Sequence, residues 1–138
     1  MVTYGYEHYD RARHYFEDGQ YLDAARELEE LFTDVAAARA ETPESGDGRD
    51  PVGHGLSEPR LLLARSYYHS AQLRRAEEAA RQVLDEDPQD AYAHLLLGRT
   101  LVRAGRSDEA KGPLRMAERL GGYETSQAPG AEVSDEGI

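Results

Sequence analysis

The chain of 138 residues contains no cysteine, which excludes disulfide scaffolds, thiolate metal sites and cysteine nucleophiles together. Long apolar runs are missing as well. The longest, residues 61–64 and 95–97, fall far short of the roughly 20 residues that a membrane span needs, so a soluble protein is expected. Residues 1–11 carry Glu7, Asp10 and several tyrosines where a secretory leader needs a basic start and an apolar stretch. Export is therefore not expected, and the cytoplasm is the expected compartment. Valine and isoleucine are scarce, and β-branched and polar residues nowhere alternate over a sustained stretch, which argues against strands. Lysine is almost absent: Lys111 is the single one among 16 basic residues, set against 27 acidic residues for a net charge of −11. A mostly negative surface repels phosphate backbones and anionic lipid, so neither nucleic acid nor membrane is an expected partner. A protein partner is what remains.

What the sequence does contain is helical periodicity from Tyr4 to Leu120, broken once between Ala40 and Leu56. That interruption, AETPESGDGRDPVGHGL, collects Pro, Gly, Ser and Asp and reads as a loop over 40–56. A second break at Gly121-Gly122 opens an acidic stretch with little to bury, which predicts a disordered tail over 121–138. Punctuation divides the periodic part into helices over 4–18, 21–39, 57–70, 73–86, 91–104 and 107–120, with Gly19 and Gly105 at two corners and Ser107 as an N-cap. Gly112-Pro113 inside the last of these predicts a kink or a late start.

The sequence also repeats itself. LLLARSYYHSAQLRRAEEAARQVL aligns with LLLGRTLVRAGRSDEAKGPLRMA at a register of 34 residues. Ala64 then falls on Gly98, Tyr67 on Leu101, Ala71 on Gly105, Ala76 on Ala110, Ala80 on Leu114 and Val83 on Ala117. The N-terminal segment joins at an offset of 52, which is 34 plus an insertion of 18 residues in the loop. Ala12, Tyr15, Gly19, Ala24, Leu28 and Leu31 take the same places. A small residue at the helix crossing, an aromatic one turn on, Gly at the corner and Ala midway along the second helix resemble the tetratricopeptide repeat family.

The resemblance implies an all-α fold of three helix-turn-helix repeats, about 5–38, 57–90 and 91–124, stacked as a right-handed α-solenoid within one domain over 1–120. The chain departs from the pattern in places. The family's tryptophan position holds His8, Arg60 and His94, the closing proline occurs only as Pro88, and Arg11 stands where Leu63 and Leu97 stand in the later repeats. The first repeat is thus the least typical.

Reactive constellations are not evident. His8, His14, His54, His69 and His94 include no pair three or four residues apart, so no single helix face offers two histidine ligands, and no metal or cofactor is expected. The acidic pairs Glu29-Glu30 and Glu77-Glu78 are adjacent along a helix and diverge, whereas a catalytic pair converges on one substrate. No phosphate-binding loop or nucleophile elbow is found. An enzyme is not expected.

In the family, the leading helices of the pairs line a concave groove. Read at helical spacing, that stripe is Tyr9-Arg13-Phe16, Leu61-Arg65-Tyr68 and Leu95-Arg99-Val102, flanked by Tyr6, His69, Tyr92 and Arg103. Stacking would set Arg13, Arg65 and Arg99 in a row about 10 Å apart. Guanidinium donors beside aromatic rings suit carboxylates and phosphates. The alternative is that Arg13 pairs with Glu17 and that the other two are solvated neighbours of core leucines. Against it, Leu61, Tyr68, Leu95 and Val102 would then form an exposed apolar patch.

Family members that grip a peptide's C-terminal carboxylate do so with lysines, asparagines and an arginine. Those places hold Tyr9, Arg13, Leu62, Tyr92 and Leu96 here, so that partner class is not expected. The leading expectation is an adaptor that binds an acidic or phosphorylated, partly apolar segment of another protein. The alternatives are a self-assembling or scaffolding subunit, and a small-ligand receptor or cryptic enzyme. Leu114, Ala117 and Leu120 on the last helix have no following helix to cover them, which predicts a weak homodimer through that end or cover by Tyr123.

Overall fold

A computed structural model describes residues 4–41, 56–124 and 138. Of the loop inferred over 40–56, Ala40 and Glu41 are helical and residues 42–55 lie outside the described residues, as do residues 125–137 of the inferred tail. Among those described there are six α-helices and no strand: α1 Tyr4–Glu17, α2 Tyr21–Glu41, α3 Ser57–His69, α4 Leu73–Glu86, α5 Ala91–Arg103 and α6 Ser107–Gly121. No described helix is long and apolar enough to cross a membrane.

The corners follow the repeat register. Gly19 and Gly105 both adopt φ +78°, the left-handed conformation that glycine enters without steric cost. Each closes its helix by two bonds: Gly19 N–H to the Phe16 carbonyl and Gln20 N–H to that of Tyr15, then Gly105 N–H to Val102 and Arg106 N–H to Leu101. This is the Schellman arrangement, in which two otherwise orphaned carbonyls are satisfied. Ala71, which occupies the same register place, is also left-handed at φ 62° although it carries a Cβ.

Two local expectations change. Ser107 is the first residue of α6 rather than its cap, and Arg106 holds the cap position without a side-chain cap bond. Helix α6 neither starts late nor stops at Gly112-Pro113; it runs through both to Gly121. Proline there forfeits one backbone bond, but Ala110 and Ala117 are buried on either side of it, and tertiary packing outweighs the local loss.

The chain divides into two compact units, Met1–Ser70 and Ala71–Ile138. In the first, α2 packs on both α1 and α3, and α1 also touches α3. Its interior holds Ala12, Ala24, Leu28, Leu31 and Ala64, all at 2% exposure or less, and Tyr67 donates its hydroxyl to the Glu29 carboxylate.

In the second unit α5 packs on both α4 and α6. Ala80, Leu97, Leu101 and Ala110 form its core, with Leu84, Val102 and Leu114 against them. Gly98 permits the close approach: a Cβ there would lie 2.4 Å from Leu114 Cδ2 and 2.6 Å from its Cγ. In the repeat register Gly98 stands at the place of Ala64 and Leu114 at the place of Ala80.

Candidate functional site

The stripe inferred on the leading helices is only partly surface. In the first unit Tyr6 is exposed at 74%, Arg13 is exposed, and Tyr9, Phe16, Arg65 and His69 are half-buried. Leu61 and Tyr68, at 7% and 0%, belong to the interior. On α5 Leu95 and Arg99 are buried, at 3% and 8%, Tyr92 and Val102 are half-buried, and Arg103 is exposed. Leu61, Tyr68 and Leu95 therefore present no exposed apolar patch that a partner must cover, which removes one reason for expecting a ligand there. The arginines at matching register places have three different environments.

In the first unit the structure joins several of the inferred residues through aromatic contacts. The Arg65 guanidinium lies 4.4 Å from the centre of the Phe16 ring, and that of Arg13 lies 5.8 Å from the Tyr9 ring. Phe16 meets His69 edge-on at 5.6 Å, and Tyr68 meets His69 edge-on at 5.4 Å. Tyr21, absent from the inferred stripe, completes the cluster: its ring stacks on His69 at 4.6 Å and meets Phe16 edge-on at 5.1 Å. A stripe drawn along leading helices omits the first residue of a trailing one. The Gly19 corner returns the chain at once, and that brings Tyr21 beside Phe16.

This local chemistry can hold an anion next to an apolar group. The rings stabilise the cations through their quadrupoles and restrict the arginine side chains before any ligand arrives.

A second polar cluster in the same unit went unseen in the sequence. His8 Nδ1 lies 2.7 Å from Glu27 Oε2 and 3.7 Å from Glu30, while Nε2 lies 3.3 Å from Asp34. Arg11 Nε sits 3.2 Å from Glu27. Partial burial pushes the Glu27 carboxyl up, but hydrogen bonds from His8 and Arg11 outweigh it and leave the group below the ordinary glutamate value. His8, Glu27 and Glu30 could each offer one ligand atom to a metal ion, since these atoms lie within 4.8 Å of one another. Arg11 already supplies the countercharge. The test for histidine pairs considered one helix at a time, whereas this cluster is built by α1 facing α2.

In the second unit Arg106 is the main ionic link. It donates to Glu77 at 2.6 and 3.3 Å and to Glu109 at 2.6 and 2.8 Å, tying α4 to the first turn of α6. The Arg106 bond holds the Glu77 carboxyl below its ordinary value against the effect of partial burial. Glu109 is lowered by the same guanidinium.

With this geometry in place, the comparison with family models is informative. The model described as tetratricopeptide repeat matches residues 61–124, from the first turn of α3 to just beyond α6. The first helix pair, where Arg11 and His8 interrupt the pattern, lies outside the match. No curated protein matches the chain.

Proposed function

Because the chain belongs to the tetratricopeptide repeat family, whose repeats mediate protein–protein interaction and are in general non-enzymatic, we propose that it is an adaptor holding an acidic or phosphorylated, partly apolar segment of a partner protein. The segment engages the leading helices, with Arg13 and Arg65 meeting its anionic groups and Tyr9, Phe16 and His69 its apolar side chains. The observation that carries this reading is the Arg65 guanidinium 4.4 Å from the Phe16 ring centre, with Arg13 over Tyr9 on the same unit. A cation placed beside rings in a chain of net charge −11 is a local reversal of sign that suits an acidic ligand.

Affinity capture with mass spectrometry would identify the partner, and titration of its bound segment at rising salt is the test. Affinity should fall as salt rises, because exposed charge pairs are screened over about 10 Å at 0.1 M ionic strength. A segment whose affinity is independent of salt would contradict the reading.

A second reading, weak self-association through α6, draws on Leu120, which is 40% exposed. Tyr123 competes for the same end. It is half-buried, and its ring approaches within 2.7 Å of where a Gly121 Cβ would lie. A strict monomer by sedimentation at high concentration would exclude self-association.

A further inference from the structure

The second unit contains an open cavity of about 430 Å³ between α4, the start of α5 and α6. Its polar lining includes Arg81, His94, Arg115 and Arg119, and its apolar lining includes Leu84, Leu97, Pro113 and Met116. His94 and Leu97 are about a third of a turn or more round α5 from the Leu95-Arg99-Val102 stripe, so this is a different surface from the one under Proposed function.

Three observations set it apart. First, Arg115 and Arg119 have no hydrogen bond or ion pair among the described residues, whereas Arg11, Arg26, Arg81, Arg106 and Lys111 each meet a carboxylate. Two like charges one turn apart repel, by a few tenths of a kcal/mol on a helix surface. The favourable field of the helix C-terminus accounts for Arg119 in the last turn but falls off towards Arg115. Second, His94 donates Nε2–H to the Pro88 carbonyl at 2.8 Å, while its buried Nδ1 has no partner. Third, Gly112 has no packing reason to be glycine. Its φ is not positive, and a Cβ there would meet nothing within 4 Å. Glycine costs an ordinary helix interior about 1 kcal/mol relative to alanine, so its effect here is to leave that wall of the cavity open.

We propose that this cavity is a second binding site, for a segment of a protein partner that carries a dianionic group, a phosphorylated side chain or two neighbouring carboxylates, beside an apolar side chain. The anionic group meets Arg115 and Arg119, with Arg81, partly neutralised by Glu77, at the side. The apolar side chain rests on Leu84, Leu97 and Met116. A volume of this size takes one or two side chains, and its mixture of a few charged groups with an apolar wall is that of a recognition pocket.

The test titrates the full chain with two labelled peptides of equal length, one bearing phosphoserine before leucine and the other two glutamates before leucine, and with inorganic phosphate. At least one peptide should saturate, and more tightly than phosphate alone. Saturation by the phosphopeptide only identifies a phosphorylated ligand; saturation by both identifies dianionic charge in general. Arg115→Ala/Arg119→Ala should weaken binding at least about tenfold, as loss of charge-assisted contacts does. Gly112→Leu should abolish binding by filling the cavity while leaving the melting temperature equal or higher. All titrations are made in the Arg65→Glu background, so that peptide held by the leading helices does not contribute and the two sites fail separately. No saturable binding of either peptide at millimolar concentration, or full affinity retained in the double arginine variant or in Gly112→Leu, would overturn the proposal.

Discussion

The two compact units use arginine differently: carboxylates hold Arg11 and Arg26 in the first as they hold Arg81 and Arg106 in the second, but the guanidiniums that lie beside rings are in the first. In the first, three guanidiniums lie beside rings: Arg13 by Tyr9, Arg60 by Phe32 at 4.4 Å and Arg65 by Phe16. In the second, Arg106 and Arg81 are held by carboxylates, while Arg115 and Arg119 meet none among the described residues. The difference comes from composition imposed on a common helical register. Residues 4–70 contain most of the chain's aromatic side chains, and α4 and α6 carry acidic residues at the turns that face Arg106. A repeat register thus fixes where an arginine sits on a helix, and its neighbours decide whether the cation is ring-bound, paired or left for a ligand. Arg13, Arg65 and Arg99, equivalent in sequence, are exposed, half-buried and buried.

The largest effect expected from disturbing either unit is on its core. Leu101→Ala, in the core of the second unit, and Leu28→Ala, in the interior of the first, each remove a side chain of 0% exposure. Each should cost about 2–5 kcal/mol by chemical denaturation. A loss below 1 kcal/mol at either position would mean that unit's core collapses around the gap.

Next comes the packing specific to the second unit. Gly98→Ala places a Cβ against Leu114 and should destabilise by about 1–3 kcal/mol, despite alanine's better helix propensity. In a double-mutant cycle with Leu114→Ala, which makes room for the new Cβ, the coupling should exceed about 1 kcal/mol. Additive effects would show that Leu114 moves aside freely.

The ionic links differ less. Arg106→Ala should cost little, because the guanidinium is 39% exposed and solvent screens its pairs. Its clearer mark is on pH dependence. The folded-state carboxyls of Glu77, Glu109 and Glu27 all lie below the ordinary value of 4.5, so their contribution is present above that value and is lost as pH falls through the depressed one. Stability should therefore decline under acid. Arg106→Ala should flatten that decline where Arg74→Ala does not, and equal acid profiles would contradict the assignment.

The smallest effect concerns Ala71, alone among described non-glycine residues in having positive φ. Ala71→Gly should raise stability by about 0.5–1 kcal/mol through relief of that conformation. A fall would mean that the corner relaxes without strain.

Much of this fold was legible along the chain because its determinants are local. Gly19 and Gly105 mark corners, and the apolar spacing marks helix faces; the helix limits agree with the inferred ones to within two residues. The site was less so. Helical spacing identified Arg13 and Arg65 as neighbours of rings on one stripe, but it could not separate a wall from a core, and Leu61, Tyr68 and Leu95 proved to be interior. Contacts between helices were out of reach for the same reason. His8 meets Glu27 and Asp34, and Tyr21 meets His69, at separations that no single-helix period contains. Pro113 misled in one respect, since a local rule allowed a late start, whereas α6 begins at Ser107 with Ala110 and Ala117 buried on either side of the proline.

The most direct test of the central claim is the affinity of the captured partner segment for Arg65→Glu beside Arg74→Glu, an exposed control at the start of α4. Arg65→Glu should weaken binding by at least about 2 kcal/mol, the scale of a binding hot spot, since it removes a ring-held cation and adds repulsion. Thermal stability of the same variant should change far less than binding does, because the Arg65 side chain is half-buried at the surface and not part of the core. Arg74→Glu should leave binding nearly intact. Equal losses in the two variants, or full affinity in Arg65→Glu, would show that the leading helices do not hold the partner.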